Sequence, residues 1–380
     1  MKILVLSDSF KETATSLQVV STIREGVQKV YSSYEVDAYP FSDGGEGSEE
    51  ALLSLLPNGE KKTIVCKDPS NNIEIEASYL VFSEFVFVES AQANGLEKTV
   101  KKNPLYTSTY GLGILLKEAL KEKPKKILIS LGGSATDDLG AGMLEALGAS
   151  FSDERGERIT SPIQGKDLVR IKDVDLSSFD NGFKEKEFLL LSDVKNPLLG
   201  KEGATYTFAP QKGAREEDLP LLESGKENLA SLLTKKTGRD VSLIPGSGAA
   251  GGLGGAFLFM AKKVEITSGG KWMLSLFTSK HPFSSYDLII TGEGKIDQTT
   301  LKGKCVYDVA QEAKKNHIPC LAIGGYVEKE VIPELEKIGV SDVLSVQKEK
   351  RSIEELKKTA CEDLKKAVVK YFSKKGERRG

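Results

Sequence analysis

The chain has 380 residues, 39% apolar and 28% charged, with a formal net charge of −2. That length predicts two or three domains, and the balanced charge argues against nucleic acid or an anionic membrane as a bulk partner. Four scattered cysteines (Cys66, Cys305, Cys320 and Cys361) without a CxxC point to a reducing compartment and no zinc site. Only two histidines occur, His281 and His317, neither beside a motif, so a Ser-His-Asp triad is not expected. Carboxylates, lysines, hydroxyls and backbone amides are left to do the chemistry.

Met1 leads straight into an apolar run at 3–6, a strand rather than a signal peptide. SDSFK follows at 7–11. Thr15 and Gln18 form a capping box, and Val20, Ile23, Val27 and Val30 mark the inner face of a first helix. A strand at 36–39 ends in PFSDGGEG (40–47), and 49–56 is helical. This βαβα start places polar, glycine-rich segments at strand carboxyl ends, where open α/β sheets bind ligands. From 61 to 100 the pattern changes to strands at 63–66, 74–82 and 85–88 around a turn at 68–72, a separate and partly antiparallel sheet. A helix at 110–122 leads to the segment that organises the chain, 127–148. Its apolar residues 127–131 suit a buried parallel strand. Gly132 and Gly133 break it, and Ser134, Thr136, Asp137 and Asp138 are candidate caps for a helix starting near Leu139, with Met143, Leu144 and Leu147 inward. Such a strand, turn and helix start suits an anion; it also suits plain helix–strand packing. Gly140 and Gly142 would each cost about 1 kcal/mol against Ala in that helix, which implies a close approach.

A strand at 188–191 precedes SDVKNPLLG (192–200), and 218–235 is an amphipathic helix with Leu222, Leu229 and Leu233 inward. The glycine-rich run 246–261 is too short and too rich in glycine to span a bilayer. A strand at 287–291 ends in GEGKID, and 306–315 is helical. Strands at 320–323 and 343–346 and a helix at 353–372 follow, with 373–380 a basic frayed tail. The fold class is therefore α/β. A Rossmann-like, doubly wound parallel sheet domain comprises 1–60, 108–148 and 246–380. A second, mixed α/β domain, 61–107 and 149–245, is inserted in it. No internal repeat is present.

The polar loops at 7–11, 42–47, 132–138, 192–197 and 291–297, joined by APQKG (209–213) and GSGAAGG (246–252), concentrate acids at one sheet edge, which a plain fold does not require. Phosphoryl transfer needs cradled phosphates, a magnesium ion held by carboxylates and a group positioning the attacking hydroxyl. Gly132, Gly133, Ser134 and Thr136 are candidates for the cradle, with Gly248 as part of its wall. Lys11 and Lys212 are candidates for charge neutralisation. Asp8, Asp43, Asp193, Glu293 and Asp297 are hard oxygen donors suited to Mg²⁺, one of which would accept the hydroxyl proton. Each aspartate can also be read as a cap or turn former. The GxGxxG at 246–251 follows Pro245 rather than a clean strand and lacks its distal acid, so helix packing or a phosphate-site wall is expected of it rather than a dinucleotide fingerprint. There is no GxxxxGK[ST].

In order, DSFK (8–11), DGGEG (43–47), GGSAT-D (132–138), SDV-NPL (192–198), PQKGA (210–214), GSGAAGGLG (246–254) and TGEGKID-TTLKGK (291–304) resemble the bacterial glycerate kinase family, the two-domain type-1 family. The resemblance runs from Lys2 to about Cys361. It implies ATP-dependent phosphorylation of D-glycerate, typically to 2-phosphoglycerate, in the cytoplasm, in a cleft between a Rossmann-like and an inserted α/β domain. On it rests a division of roles that is open to permutation. Asp193, Lys11 and Lys212 are catalytic; Ser9, Asp43, Asn196 and Gln211 bind substrate; Asp43 and Asp297 hold Mg²⁺. ATP and Mg²⁺ are the implied cofactors, and the protein is expected to be a monomer or homodimer. Leu139 stands where the family commonly has glycine, and Lys195 where an acid or small polar residue is common. A nicotinamide-dependent dehydrogenase of a small hydroxy acid and a non-catalytic small-ligand binding protein are the alternatives.

Overall fold

A computed structural model describes residues 1–100, 102–347, 349 and 351–377. The chain divides into two compact units. The first comprises 1–43, 50–57 and 269–380, and the second 44–49 and 58–268.

Five parallel strands form the sheet of the first unit, in the order Asp342–Ser345, Cys320–Val327, Leu288–Ile296, Lys2–Ser7 and Glu35–Pro40. Their apolar character follows from cover on both faces. The Ser16–Val30 helix carries the capping box read from Thr15 and Gln18. It packs Val20, Ile23 and Val27 into one cluster with Leu364, Val368 and Phe372 of the Ile353–Glu377 helix. That last helix runs through residues 373–377, which the sequence assigned to a frayed tail; residues 378–380 lie outside the described ones. From Lys2–Ser7 the chain proceeds to one side through Glu35–Pro40. It fills the other side through Leu288–Ile296, Cys320–Val327 and Asp342–Ser345. Strand order thus reverses between Lys2–Ser7 and Leu288–Ile296, and their carboxyl ends flank a topological switch point, where α/β sheets take ligands.

The second unit holds a mixed sheet ordered Lys263–Thr267, Glu187–Leu191, Lys126–Ser130, Phe85–Glu89, Glu74–Val81 and Glu60–Lys67. The first four strands are parallel, and the last two join antiparallel. A small antiparallel pair, Ser150–Ser152 with Asp173–Asp175, completes it. Ile127, Ile129, Phe188 and Leu190 centre the core with Leu112, Leu115 and Phe257.

The expected domain boundaries need correcting. Residues 108–148 and 246–268 belong to the second unit, because Lys126–Ser130 pairs with Phe85–Glu89 and Glu187–Leu191. The first sheet accordingly has five strands, and the polar loops are divided between two sheets rather than gathered at one edge. TGEGK is also strand, not loop: pairing continues with Glu293 opposite Gly324 and Lys295 opposite Tyr326. Among the described residues no helix is long and apolar enough to cross a membrane, and all four cysteines are unpaired.

Candidate active site

On the first unit, three predicted acids converge electrostatically at the switch point. Asp8 follows the first strand, its backbone N–H donating to the Gly292 carbonyl at 3.0 Å. Its carboxylate accepts from the Ser9 N–H at 2.6 Å, which turns DSFK sharply. Phe10 and Ala14 close that turn, leaving Lys11 exposed. Burial, the Asp43 carboxylate and, more weakly, Glu293 push Asp8 up to about 8, against the Ser9 hydrogen bond and Lys11. Burial pushes the buried Glu293 up to about 7, although it accepts from Thr300 Oγ1 and lies 3.8 Å from the Lys304 ammonium. Asp308, which the sequence reading missed, is raised to about 6 by burial and by Asp43, with Lys271 opposing. It lies inside a helix whose apolar pattern gave no sign of it.

Asp297 is otherwise occupied. One carboxylate oxygen accepts from Lys295 Nζ at 2.7 Å and the other from the Thr299 N–H and hydroxyl at 2.8 and 2.6 Å. Among the described residues no three His, Cys, Asp or Glu side chains are grouped to hold a metal ion. Magnesium, however, commonly uses only one or two carboxylates together with substrate phosphates. Asp43, whose charge raises Asp8, and Asp8 itself are carboxylate donors that would suit such a role. His281 stacks on Phe277 with ring centroids 5.0 Å apart, a packing role.

On the second unit, Lys212, Ser134 and Thr136 are brought together. The Lys212 ammonium, 3% exposed, donates to Ser134 Oγ at 2.9 Å and to the Thr136 carbonyl at 2.7 Å. Burial lowers Lys212 to about 8, with Asp137 and Asp138 opposing and Lys226 reinforcing the shift. Asp137 is ion-paired to Lys226 at 2.9 Å with both side chains at 0% exposure, and its second oxygen accepts from Thr205 Oγ1 at 3.2 Å. Asp138 accepts from the Thr109 N–H and hydroxyl, each at 2.8 Å, and from the Gly140 and Gly142 N–H groups. Two of the four candidate caps are therefore structural anchors, and Lys226 is a buried cation that the helical pattern at 218–235 did not reveal.

The expected helix start near Leu139 is displaced to Ala141–Ala146, because Leu139 (φ 51°) and Gly140 (φ 70°) are left-handed. A left-handed position explains a glycine preference there. The close approach expected in this helix comes from the chain itself: Ser108 Oγ lies 2.1 Å from where a Gly142 Cβ would stand. Gly132 is explained likewise. A Cβ there would meet Gly45 Cα at 2.4 Å, and its N–H donates to the Gly44 carbonyl at 3.0 Å. Its amide is thus already occupied, while Gly133 is exposed.

GSGAAGG is a packing element. Ala250, Gly251 and Gly252 are left-handed, a Gly251 Cβ would meet the Thr136 carbonyl at 2.1 Å, and the Gly248 N–H donates to the Asn196 carbonyl at 3.1 Å. The run supports the 136–139 loop and offers no free amide at Gly248. The Asn196 side chain donates to the Glu202 carbonyl at 2.7 Å and to Thr207 Oγ1 at 3.3 Å, bracing its loop. Asp193 and Gln211 are exposed.

Sequence reasoning also missed Ser90 and Ser130, at the carboxyl ends of Phe85–Glu89 and Lys126–Ser130, and Asn94, the last residue of the short helix Ala91–Asn94 that follows. Their side-chain polar atoms are buried without a hydrogen-bond partner, as is Thr136 Oγ1. A serine or asparagine after a strand reads as a cap, so nothing in the sequence set them apart.

The glycerate kinase family model matches residues 3–373. A glycerate kinase of Bacillus cereus is 37% identical over 96% of this chain and 95% of its own length. The glycerate 2-kinase of Escherichia coli is 34% identical over 91% of this chain and 90% of its own. A crystal structure of a protein put forward as glycerate kinase 2 from Salmonella typhimurium superposes with a TM-score of 0.80 at 32% identity, covering 100% of this chain and 99% of that one. With a family model spanning nearly its whole length and relatives of this similarity, the chain belongs to the glycerate kinase family and is an enzyme of the kinase class.

Proposed function

We propose that this enzyme transfers the γ-phosphoryl group of ATP to a hydroxyl of D-glycerate, giving 2-phosphoglycerate and ADP. The observation that carries the reading is Lys212: a buried ammonium fixed on Ser134 and Thr136, at the glycine-rich loop after a parallel strand, gives an anionic group a partner of high electrostatic value. Family membership supplies the substrate class, and the printed name of the Escherichia coli relative supports position 2.

In this reading the glycerate oxygen attacks the γ-phosphorus. The bond to the β–γ bridging oxygen breaks, and ADP leaves with that oxygen. The hydroxyl proton passes to the Asp193 carboxylate. On the second unit we assign Gly133, Ser134 and Thr136 to phosphate oxygens, Lys212 to charge balance, and Asn196 and Gln211 to shaping the acceptor loop. On the first unit we assign Lys11 to charge balance and Ser9 to positioning. Asp43, with Asp8, is assigned to Mg²⁺, which supplies neutralisation of phosphate charge when bound with the nucleotide. Asp297 is assigned to holding its turn.

The test is ADP release from Mg·ATP with D-glycerate, L-glycerate, glycerol or no acceptor. The reading predicts release dependent on D-glycerate, and an Asp193→Asn enzyme slowed at least about 100-fold in kcat. A well-folded sample that no acceptor stimulates contradicts the substrate assignment, and full turnover by Asp193→Asn removes that residue from the base role.

A further inference from the structure

We propose that Ser90, Asn94 and Ser130 form the hydroxyl-recognition set for the phosphoryl acceptor. This rests on the reading above that the acceptor is a small hydroxy acid. Asn94 is 0% exposed and neither its amide nitrogen nor its amide oxygen has a partner; Ser90 Oγ (0%) and Ser130 Oγ (1%) are in the same condition. Burying a polar group without a partner is costly, and such groups are rare in native interiors.

The three are neighbours through the backbone, so one ligand group can be reached from all of them. Glu89 registers opposite Ser130 on adjacent parallel strands. The Ser90 N–H donates to the Ser130 carbonyl at 3.0 Å, and Asn94 N–H to the Ser90 carbonyl at 2.8 Å. The Asn94 carbonyl accepts from Ala135 N–H at 2.8 Å, inside the loop that holds Lys212 through Ser134 and Thr136. The set therefore stands at the carboxyl ends of parallel strands, beside the buried cation.

Chemistry selects the ligand. An asparagine amide and a serine hydroxyl each both donate and accept. Ionised phosphate oxygens only accept, so an asparagine carbonyl facing them gains nothing. A substrate hydroxyl donates one hydrogen bond and accepts up to two, so it can answer both the acceptors and the donors in this set. None is charged, so the acid's carboxylate is left to a cation such as Lys212.

The experiment compares wild type with Ser90→Ala, Asn94→Ala and Ser130→Ala by steady-state ADP release and by melting of the ligand-free proteins. The proposal predicts a KM for D-glycerate raised about 5- to 100-fold in Asn94→Ala, with smaller increases in the two serine variants. KM for Mg·ATP should stay within about twofold. Because the groups lack partners in the free protein, Tm of the serine variants should be unchanged or higher. An unchanged KM for D-glycerate in folded variants overturns the proposal, as does a rise in KM confined to Mg·ATP. Should Asn94→Ala fail to fold, the two serine variants decide, since alanine is nearly isosteric there. Wild type lacking any D-glycerate-dependent ADP release would instead sink the function proposed above.

Discussion

Replacing Lys226 by methionine removes one half of the ion pair beneath the glycine-rich loop. The two charges lie 2.9 Å apart with neither side chain exposed, an attraction of about 6 kcal/mol at an effective dielectric constant near 20. Methionine keeps most of the volume but leaves the Asp137 carboxylate buried and no longer ion-paired, with the Thr205 hydroxyl and the more distant Lys212 charge. Breaking a buried pair from one side costs about 3–5 kcal/mol, because the desolvation of the survivor is no longer offset. For a unit of roughly 200 residues that corresponds to a Tm lower by about 6–20 °C. Far-UV circular dichroism follows this loss, whereas fluorescence of Trp272, the single tryptophan, reports the first unit and should shift little. The double variant Asp137→Asn/Lys226→Met removes both charges and should recover at least half of the lost stability. A Lys226→Met protein within about 1 kcal/mol of wild type, or a double variant no better than the single one, would refute the argument.

Three further outcomes are expected. Asp8 and Glu293 bind their protons more tightly folded than unfolded, with folded values of about 8 and 7. The folded state therefore holds more protons between about pH 4 and 8, so stability of the first unit falls as pH rises through that window. Asp8→Asn should flatten the fall in Trp272-monitored urea midpoints, and an unchanged slope would contradict it. Lys212, lowered to about 8, is protonated below that pH and loses its charge above it. kcat/KM should accordingly decline above about pH 8, and Lys212→Met should lose about 100- to 1000-fold at neutral pH; a flat profile to pH 9.5 would remove the ammonium from catalysis. Leu139→Gly relieves about 1–2 kcal/mol of left-handed strain but forfeits a fully buried leucine worth about 2–5 kcal/mol and adds chain entropy. Net loss in urea unfolding is expected, and a gain would contradict the packing argument.

Local patterns proved readable because their causes are local. The capping box at Thr15 and Gln18, the buried run at 127–130 and the amphipathic helix at 219–237 all follow from short-range periodicity. Sheet membership is a different matter. The strand at 126–130 is apolar on both faces, and such a strand carries no mark of which sheet it joins. Only its pairing with Phe85–Glu89 and Glu187–Leu191 moves it, and the helices around it, into the second unit.

The candidate site divides along the same line. Motifs announced Lys212, Ser134 and Thr136, which the structure joins by hydrogen bonds. Gly132, Gly248 and Asp138 carried equally strong local signals. The two glycines satisfy close backbone approaches, since a glycine demanded by packing looks the same in sequence as one demanded by a phosphate, while Asp138 caps as its position suggested. Lys226 and Asp308 were hidden inside helices, where burial rather than neighbours in the chain sets a side chain's surroundings.

The most direct test of the central claim is the phosphorus-31 spectrum of the product formed from Mg·ATP and D-glycerate. Transfer to the 2-hydroxyl places phosphorus beside a single carbon-bound proton and predicts a doublet. A triplet, from two such protons, would place the phosphate on the 3-hydroxyl and contradict the assigned product. The absence of any new phosphate ester from folded enzyme would contradict the claim that D-glycerate is the acceptor.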